Sequence, residues 1–447
     1  MRVAVIGAGI VGVTTAYELA ADGHEVTVLE RRGSVAAETS FANAGVVSPG
    51  YVTPWAAPGM PAKVLGMLFS RHTPVRLRPT LDPATLRWLW SWWRACDAAT
   101  WQANRTRMQR LAFFSRERLH ELTRRLKLDY EHGTGYLVLL RTPKDLAIAR
   151  PGLKLLADLG YRFHLVDAAR CREIEPDLSP DTPLHAGVHL PTDEVGNCRQ
   201  FAHLLRSEAQ KLGAQFHFHT TVERIVPGSV AQVMHRTQAA GEATQLMPDF
   251  DSAVDSGPRT EVLPMPASTD EFDAVVLCAA LGATALLRPL GLRLPLQPVH
   301  GYSVTAPLRR HAAHPDHGPR SALMDERYKV AISRLGSRVR VAGGAEIGGS
   351  LARPNAGSLA TLYKVLHDWY PGVASLSQAQ RWKGARPMLP DGPPVLGASG
   401  LAGVWLNLGH GSSGWALACG SARVLADQVA GRASAIDLEG LGIERLR

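Results

Sequence analysis

What the chain lacks narrows its function first. Its five cysteines, Cys96, Cys171, Cys198, Cys278 and Cys419, are scattered without a CxxC pair, which excludes a zinc ribbon and a disulfide framework. No stretch reaches the roughly 18 uninterrupted apolar residues that a spanning helix needs. The N-terminus enters a strand pattern at once, so no signal peptide is expected, and the thiols suit a reducing, cytoplasmic compartment. The net charge of +9 is not gathered into a basic arm, so nucleic acid is not an expected partner. Its densest part, Arg105 to Arg125, reads as a solvated helix face or as a surface drawn to anionic lipid headgroups. No acid pair, metal cluster or Ser-His-Asp arrangement emerges, so no metal is expected.

Glycine (42) and proline (30) are plentiful, and the chain is 45% hydrophobic and 20% charged, as in a folded enzyme with many turns. At 447 residues it is too long for one ordinary core.

The opening, MRVAVIGAGIVGVTTAYELAADGHEVTVLERR, reads strand, glycine turn, helix, strand, acid. Gly7 permits the tight turn, Gly9 lets a pyrophosphate approach the backbone, and Gly12 allows close helix–sheet packing. The amides of Ala8, Ile10 and Val11 open a helix whose dipole favours phosphate. Glu30 ends the second strand, where it can accept from the adenosine ribose hydroxyls. It would repel a 2′-phosphate despite Arg31 and Arg32, which argues against NADP.

Two further segments choose between NAD and FAD. ETSFANAGVVSPGY, residues 38 to 51, is a small-residue loop where the ribityl chain and ring of an extended FAD would pass. Ser40 and Asn43 offer side-chain bonds, and Ala44 and Gly45 allow close backbone approach. Near the C-terminus, a strand from Val404 to Leu408 leads into His410, Gly411, Ser412, Ser413 and Gly414 and then a helix. That bare helix N-terminus suits the partial negative charge of a reduced flavin edge. Together the segments favour noncovalent FAD.

Further along, residues 51 to 130 read as Trp-rich and helical, and Asn197 as the N-cap of a helix to residue 212. A following strand places Val222 beside the adenine. Residues 228 to 271 read as an elaborated hairpin, and 299 to 347 as alternating strands. The fold expected is α/β: a Rossmann-like FAD-binding domain from residues 1–55, 190–290 and 385–447, interleaved with an α+β substrate domain, 56–189 and 291–384, on a largely antiparallel sheet.

Flavin chemistry needs few side chains beyond a handle for the substrate. The best handle is Arg386, in the proline- and glycine-containing loop KGARPMLPDGPPVLG, because an arginine grips a carboxylate with two parallel bonds. Tyr302 and Tyr328, read on strands, are candidates to support the same carboxylate; His300 and His410 are acid/base or flavin-neighbour candidates. The apolar YVTPWAAPGMPAKVLGMLFSRH and RWLWSWW cannot turn all their tryptophans to one helix face, which raises a peripheral contact at the inner face of a membrane.

At these residues the chain resembles the D-amino acid dehydrogenases, within the wider group of D-amino acid, glycine and sarcosine oxidases. The resemblance runs over nearly the whole chain, through TSFANAGVVSPGYVTPWAAPG, LPTDEVGNCRQF, GYSVT, DERYKVAISR, RVAGGAEI, ARPMLPDGPPVLG and NLGHGSSGWALACGSARVLAD. It implies noncovalent FAD, oxidation of a D-amino acid to an imino acid that water converts to a 2-oxo acid and ammonia, and electrons passed to a quinone or other carrier rather than mainly to dioxygen. It also implies that Arg386, in its RP dipeptide, binds the carboxylate with help from Tyr302. Residues 228 to 271 run longer than the family pattern, and CAALGA, 278 to 283, is poorer in glycine. Alternatives on the same frame are a glycine- or sarcosine-type oxidase and a D-proline or hydroxyproline oxidase or dehydrogenase. A flavin-binding partner protein without turnover is a third.

Overall fold

Arg2–Ile6 forms a strand whose last four residues are apolar and buried. In the computed structural model, which describes residues 1–67, 72–78, 82–158, 160–238, 266–309 and 317–446, this strand is central to a six-stranded sheet. The order is Val395–Ala398, Val404–Leu408, Ala274–Leu277, Arg2–Ile6, Glu25–Leu29 and Gln215–His217, parallel except for the first pair. The helix Ile10–Ala21 crosses between the first two strands in the chain. Gly7 turns into it at φ +101, a left-handed conformation that suits glycine, and a Cβ on Gly12 would stand 1.9 Å from Gly7 O.

The last helix, Gly414–Val429, packs on the first. Glu18, fully buried, ties them together: its carboxylate accepts from Arg118 at 2.7 Å and Arg423 at 2.8 Å. A chain end that returns to its start in this way completes one core cluster.

The second sheet is ten-stranded and largely antiparallel. Its main path runs Gln380–Met388, Gln297–Pro307, Arg338–Ile347, Val330–Leu335, Ala322–Asp325, Gly133–Leu140, Ala186–Val195 and Val46–Val47. Helix Ala356–Trp369 packs its Leu362, Val365 and Trp369 against one face, with Tyr302, Val304 and Ile332. By register, Arg386, Val299, Thr305, Arg340, Ser333 and Tyr136 share the other face. That face meets the loop at residues 38 to 55.

Residues 38 to 55 therefore lie between the two sheets. The same gap receives the N-termini of the first and last helices.

Asn197 is the N-cap of Cys198–Lys211, its Oδ1 accepting from Gln200 N at 3.2 Å. The edges of the 228–271 excursion pair as Ala231–Thr237 and Ser268–Phe272, beside Thr220–Val226, in a separate three-stranded sheet. Residues 239 to 265 lie outside the described residues. In the glycine-poor turn after Ala274–Leu277, Ala280 sits at φ +48, where a non-glycine residue is strained.

Two placements differ from those expected from the sequence. Arg386 lies on an edge strand, not in a loop. Tyr328 lies in the turn between Ala322–Asp325 and Val330–Leu335, not on a strand. Of the tryptophans on Pro83–Arg94, Trp88 is buried, and its Nε1 donates to Met388 O at 3.0 Å. Trp90 and Trp93 are exposed and stack at 5.0 Å.

Candidate active site

The nucleotide end is built by the first turn. Glu30 is buried; its Oε2 accepts from Ala8 N at 2.6 Å and its Oε1 from Arg32 N at 2.7 Å. Burial raises its pKa against those two bonds. Each oxygen keeps a lone pair for a ribose hydroxyl. Ile10 N donates to Ser40 Oγ at 3.1 Å, so the loop at residues 38 to 51 is held against the first helix. The helix N-cap, Gly9, supplies no side-chain bond of its own, and the amides of Ala8 and Ile10, read as phosphate donors, are engaged here by Glu30 and Ser40. The Arg31 side chain, next to Glu30, is paired with Glu38 at 2.7 and 3.0 Å. Thr220 N donates to Glu30 O at 2.9 Å, which brings the strand carrying Val222 to the ribose position.

The loop farther on is fixed at each carbonyl. Asn43 O accepts from Arg340 Nη1 at 3.0 Å, and Ala44 O from Ser333 Oγ at 2.7 Å. Gly45 O accepts from Gly196 N at 2.8 Å and from Trp415 Nε1 at 3.1 Å. Asn43 Oδ1 accepts from Gly45 N at 2.8 Å. Trp415 thus joins the loop to the second glycine turn, Gly411, Ser412, Ser413 and Gly414. There Ser413 caps the last helix without a side-chain bond. Two helix ends whose N-cap residues make no side-chain bond, with a clamped small-residue loop between them, fit an extended FAD. The His410 ring does not join them. It is buried, Nε2 lies 2.9 Å from Ser421 Oγ, and desolvation lowers its pKa to about 3, so it stays a neutral packing group. Only its backbone belongs to the turn.

Arg386 stands at the other end of the same face. Its Nη1 donates to Gly344 O at 2.8 Å. That carbonyl is available because a bulge interrupts the pairing of Gln297–Pro307 with Arg338–Ile347 between His300 and Tyr302. The guanidinium lies on Gly301, where a Cβ would come within 2.3 Å of Nη2, and 5.6 Å from the Trp55 ring centroid. Thr39 Oγ1 donates to Ala385 O at 2.7 Å and ties this strand to the loop. Among the described residues Arg386 has no carboxylate partner, and burial alone lowers its pKa to about 10. It stays charged at neutral pH and lacks a counter-ion.

The structure does not bring the two predicted tyrosines to it. Tyr302 is on the opposite face; its hydroxyl donates to Glu346 and accepts from Asn355 N at 3.0 Å. Tyr328 packs on that opposite side too, beneath Arg141 at 5.1 Å. His300 is buried there, and desolvation lowers its pKa. Tyr136 is on the Arg386 face, and Tyr51 is set edge-on to it at 5.9 Å, bonded to Glu326, with Lys329 Nζ donating to its hydroxyl at 3.2 Å. Tyr51, Trp55 and Arg340 were not singled out from the sequence. The first two stood in the segment read for its apolar character, and Arg340 in an ordinary strand pattern.

The family model described as FAD dependent oxidoreductase, DAO, matches residues 2–428. The D-amino acid dehydrogenase of Cereibacter sphaeroides (strain ATCC 17023) is 43% identical over 447 residues, covering 100% of this chain and 95% of its own length. That of Rhizorhabdus wittichii is 42% identical and covers 100% of both. Among solved structures, glycine oxidase from Geobacillus kaustophilus superposes with a TM-score of 0.68 at 20% identity, covering 99% of this chain and 98% of that one. L-proline dehydrogenase from P. horikoshii gives 0.68 at 17%, covering 100% and 97%. These two show the same fold.

Proposed function

The chain belongs to the DAO family of FAD dependent oxidoreductases, and from that premise we propose that it oxidises D-amino acids to imino acids, which water converts to 2-oxo acids and ammonia. The reading is supported by the full-length relatives named D-amino acid dehydrogenase. The observation that carries it is Arg386, a half-buried, charged guanidinium that has no counter-ion among the described residues and lies beside the flavin loop. A substrate carboxylate supplies the missing charge.

FAD, when bound, accepts the hydride from the substrate Cα. The residues of this chain do the rest. Arg386 takes the carboxylate on the nitrogens that Gly344 leaves open, and so fixes which substituent of Cα faces the loop. Gly301 keeps the sheet surface free of a side chain beneath it, and Trp55 covers the guanidinium. No carboxylate base is required: the amine, uncharged when reactive, assists hydride loss with its lone pair. Gly7, Gly9 and Gly12 with Glu30 hold the nucleotide, and residues 40 to 45 with 411 to 414 hold the ring.

The electrons pass, in this reading, to a quinone or comparable carrier met at a membrane surface. Among the described residues no helix is long and apolar enough to cross a membrane. Pro83–Arg94 does present Trp90, Trp93 and Leu86 to solvent at 59%, 53% and 48% exposure, flanked by Arg87 and Arg94. With D-amino acids in air, a dye or quinone is reduced well ahead of peroxide formation. The wild type floats with anionic liposomes, and W90A/W93A does not, while its dye-linked turnover is retained. Peroxide as the main product, or no lipid association of the wild type, refutes this part and favours a glycine-type oxidase chemistry.

A further inference from the structure

Arg340 is a buried guanidinium, 6% exposed, on the face that carries Arg386, and the reaction above makes no use of it. Its Nε donates to Thr305 Oγ1 at 2.9 Å and its Nη1 to Asn43 O at 3.0 Å. Among the described residues no carboxylate bonds to it, and burial lowers its pKa to about 10. Arg338 and Arg199 push in the same direction, while Glu131 and the Cys198 thiol oppose them. Glu131 is itself engaged by Arg338 at 2.8 Å, and Arg199 lies over the Phe41 ring at 4.3 Å. Two guanidinium groups and one carboxylate thus act on Arg340.

Burying charge of one sign is costly unless something of the opposite sign arrives. The loop that Arg340 holds is the one assigned to the flavin. Thr305 Oγ1 and Asn43 O accept two of the five guanidinium N–H bonds without taking up its charge. A neutral side chain could have supplied a bond to Asn43 O with less desolvation, so the charge itself needs an explanation.

We propose that Arg340 is a positioning residue for the flavin, which fixes the Asn43 carbonyl and places an unneutralised positive charge where the reduced ring becomes negative. This rests on the FAD-dependent reading. It goes beyond it in assigning the tuning of the cofactor to a side chain that touches no substrate.

The test uses R340M, which keeps length and removes charge, and R340K, which keeps charge and loses the planar fork. Each is loaded with FAD, titrated with sulfite, and measured for its flavin midpoint potential. Sulfite adds to oxidised flavin and leaves negative charge on the ring, so its affinity reports the local field. R340M is expected to bind sulfite at least about tenfold more weakly. Its midpoint should fall by about 30 mV, the equivalent of that factor for a two-electron couple. R340K should stay near wild type at neutral pH. At higher pH it should lose sulfite affinity relative to wild type, because a lysine in this dry site deprotonates at a depressed pKa. R340M with wild-type sulfite affinity and midpoint overturns the proposal. If R340M does not retain FAD, a pH-independent ratio of R340K to wild type overturns it equally. Failure of the wild type to bind FAD, or to be reduced by any D-amino acid, would instead count against the functional reading.

Discussion

Replacing Arg386 with leucine lowers kcat/KM for a D-amino acid by roughly 30- to 1,000-fold and leaves FAD content unchanged. The magnitude follows from removing a half-buried, charged, two-pronged contact, worth about 2–4 kcal/mol. The sparing of FAD follows from position. Arg386 bonds to Gly344 O and lies on Gly301 and Trp55, and none of these belongs to the nucleotide turn. The tie from this strand to the loop is made by Thr39 to the Ala385 backbone, which the substitution keeps. Lysine should rescue little, since it keeps the charge and loses the fork. Steady-state kinetics with dye as acceptor measure the effect, and unchanged kcat/KM removes Arg386 from the site.

Replacing Gly12 with alanine yields protein that does not hold FAD. A Cβ at this position would stand 1.9 Å from Gly7 O and 2.9 Å from Gly7 C, backbone atoms that cannot turn aside. The helix must then draw away from the turn that carries Ala8 and Gly9. FAD affinity should fall by more than about 100-fold, from loss of the phosphate contacts at the helix end. Gly9 is the internal comparison. Its Cβ would meet only Ser40 Oγ, at 3.5 Å, an ordinary contact. Gly9→Ala should therefore keep the wild-type thermal midpoint while weakening FAD. Equilibrium dialysis with FAD and thermal unfolding separate the two, and a Gly12→Ala protein with wild-type FAD affinity contradicts the geometry.

The two ends of the cofactor site differed in how far the sequence exposed them. The first turn was legible because strand, glycines, helix and Glu30 are consecutive, and local chemistry alone orders them. Asn197 was legible for the same reason. Arg386 was identified as a residue, but its strand was not. Gly384 and Pro387 break the alternation that marks a strand. In the sheet, Gln380–Met388 is an edge strand, where the missing proline N–H is tolerated, and Pro387 sits opposite Pro298. Tyr302 could not be assigned to a face without the register. It pairs with Lys383, three residues from Arg386, and three is an odd step in a strand of period two. His410 looked available because glycine and serine follow it, whereas its ring turns back under the last helix to Ser421. Tyr51, Trp55 and Arg340 become site residues only through contacts between distant segments, which a single sequence does not display.

Anaerobic mixing of the purified protein with the D- and L-enantiomers of a panel of amino acids tests the proposed reaction most directly. The flavin's visible absorbance should bleach with at least one D-enantiomer and persist with its mirror image, and bleaching should slow severely in Arg386→Leu. A yellow protein that every D-amino acid leaves oxidised, or a colourless one that takes up no FAD on reconstitution, would contradict it.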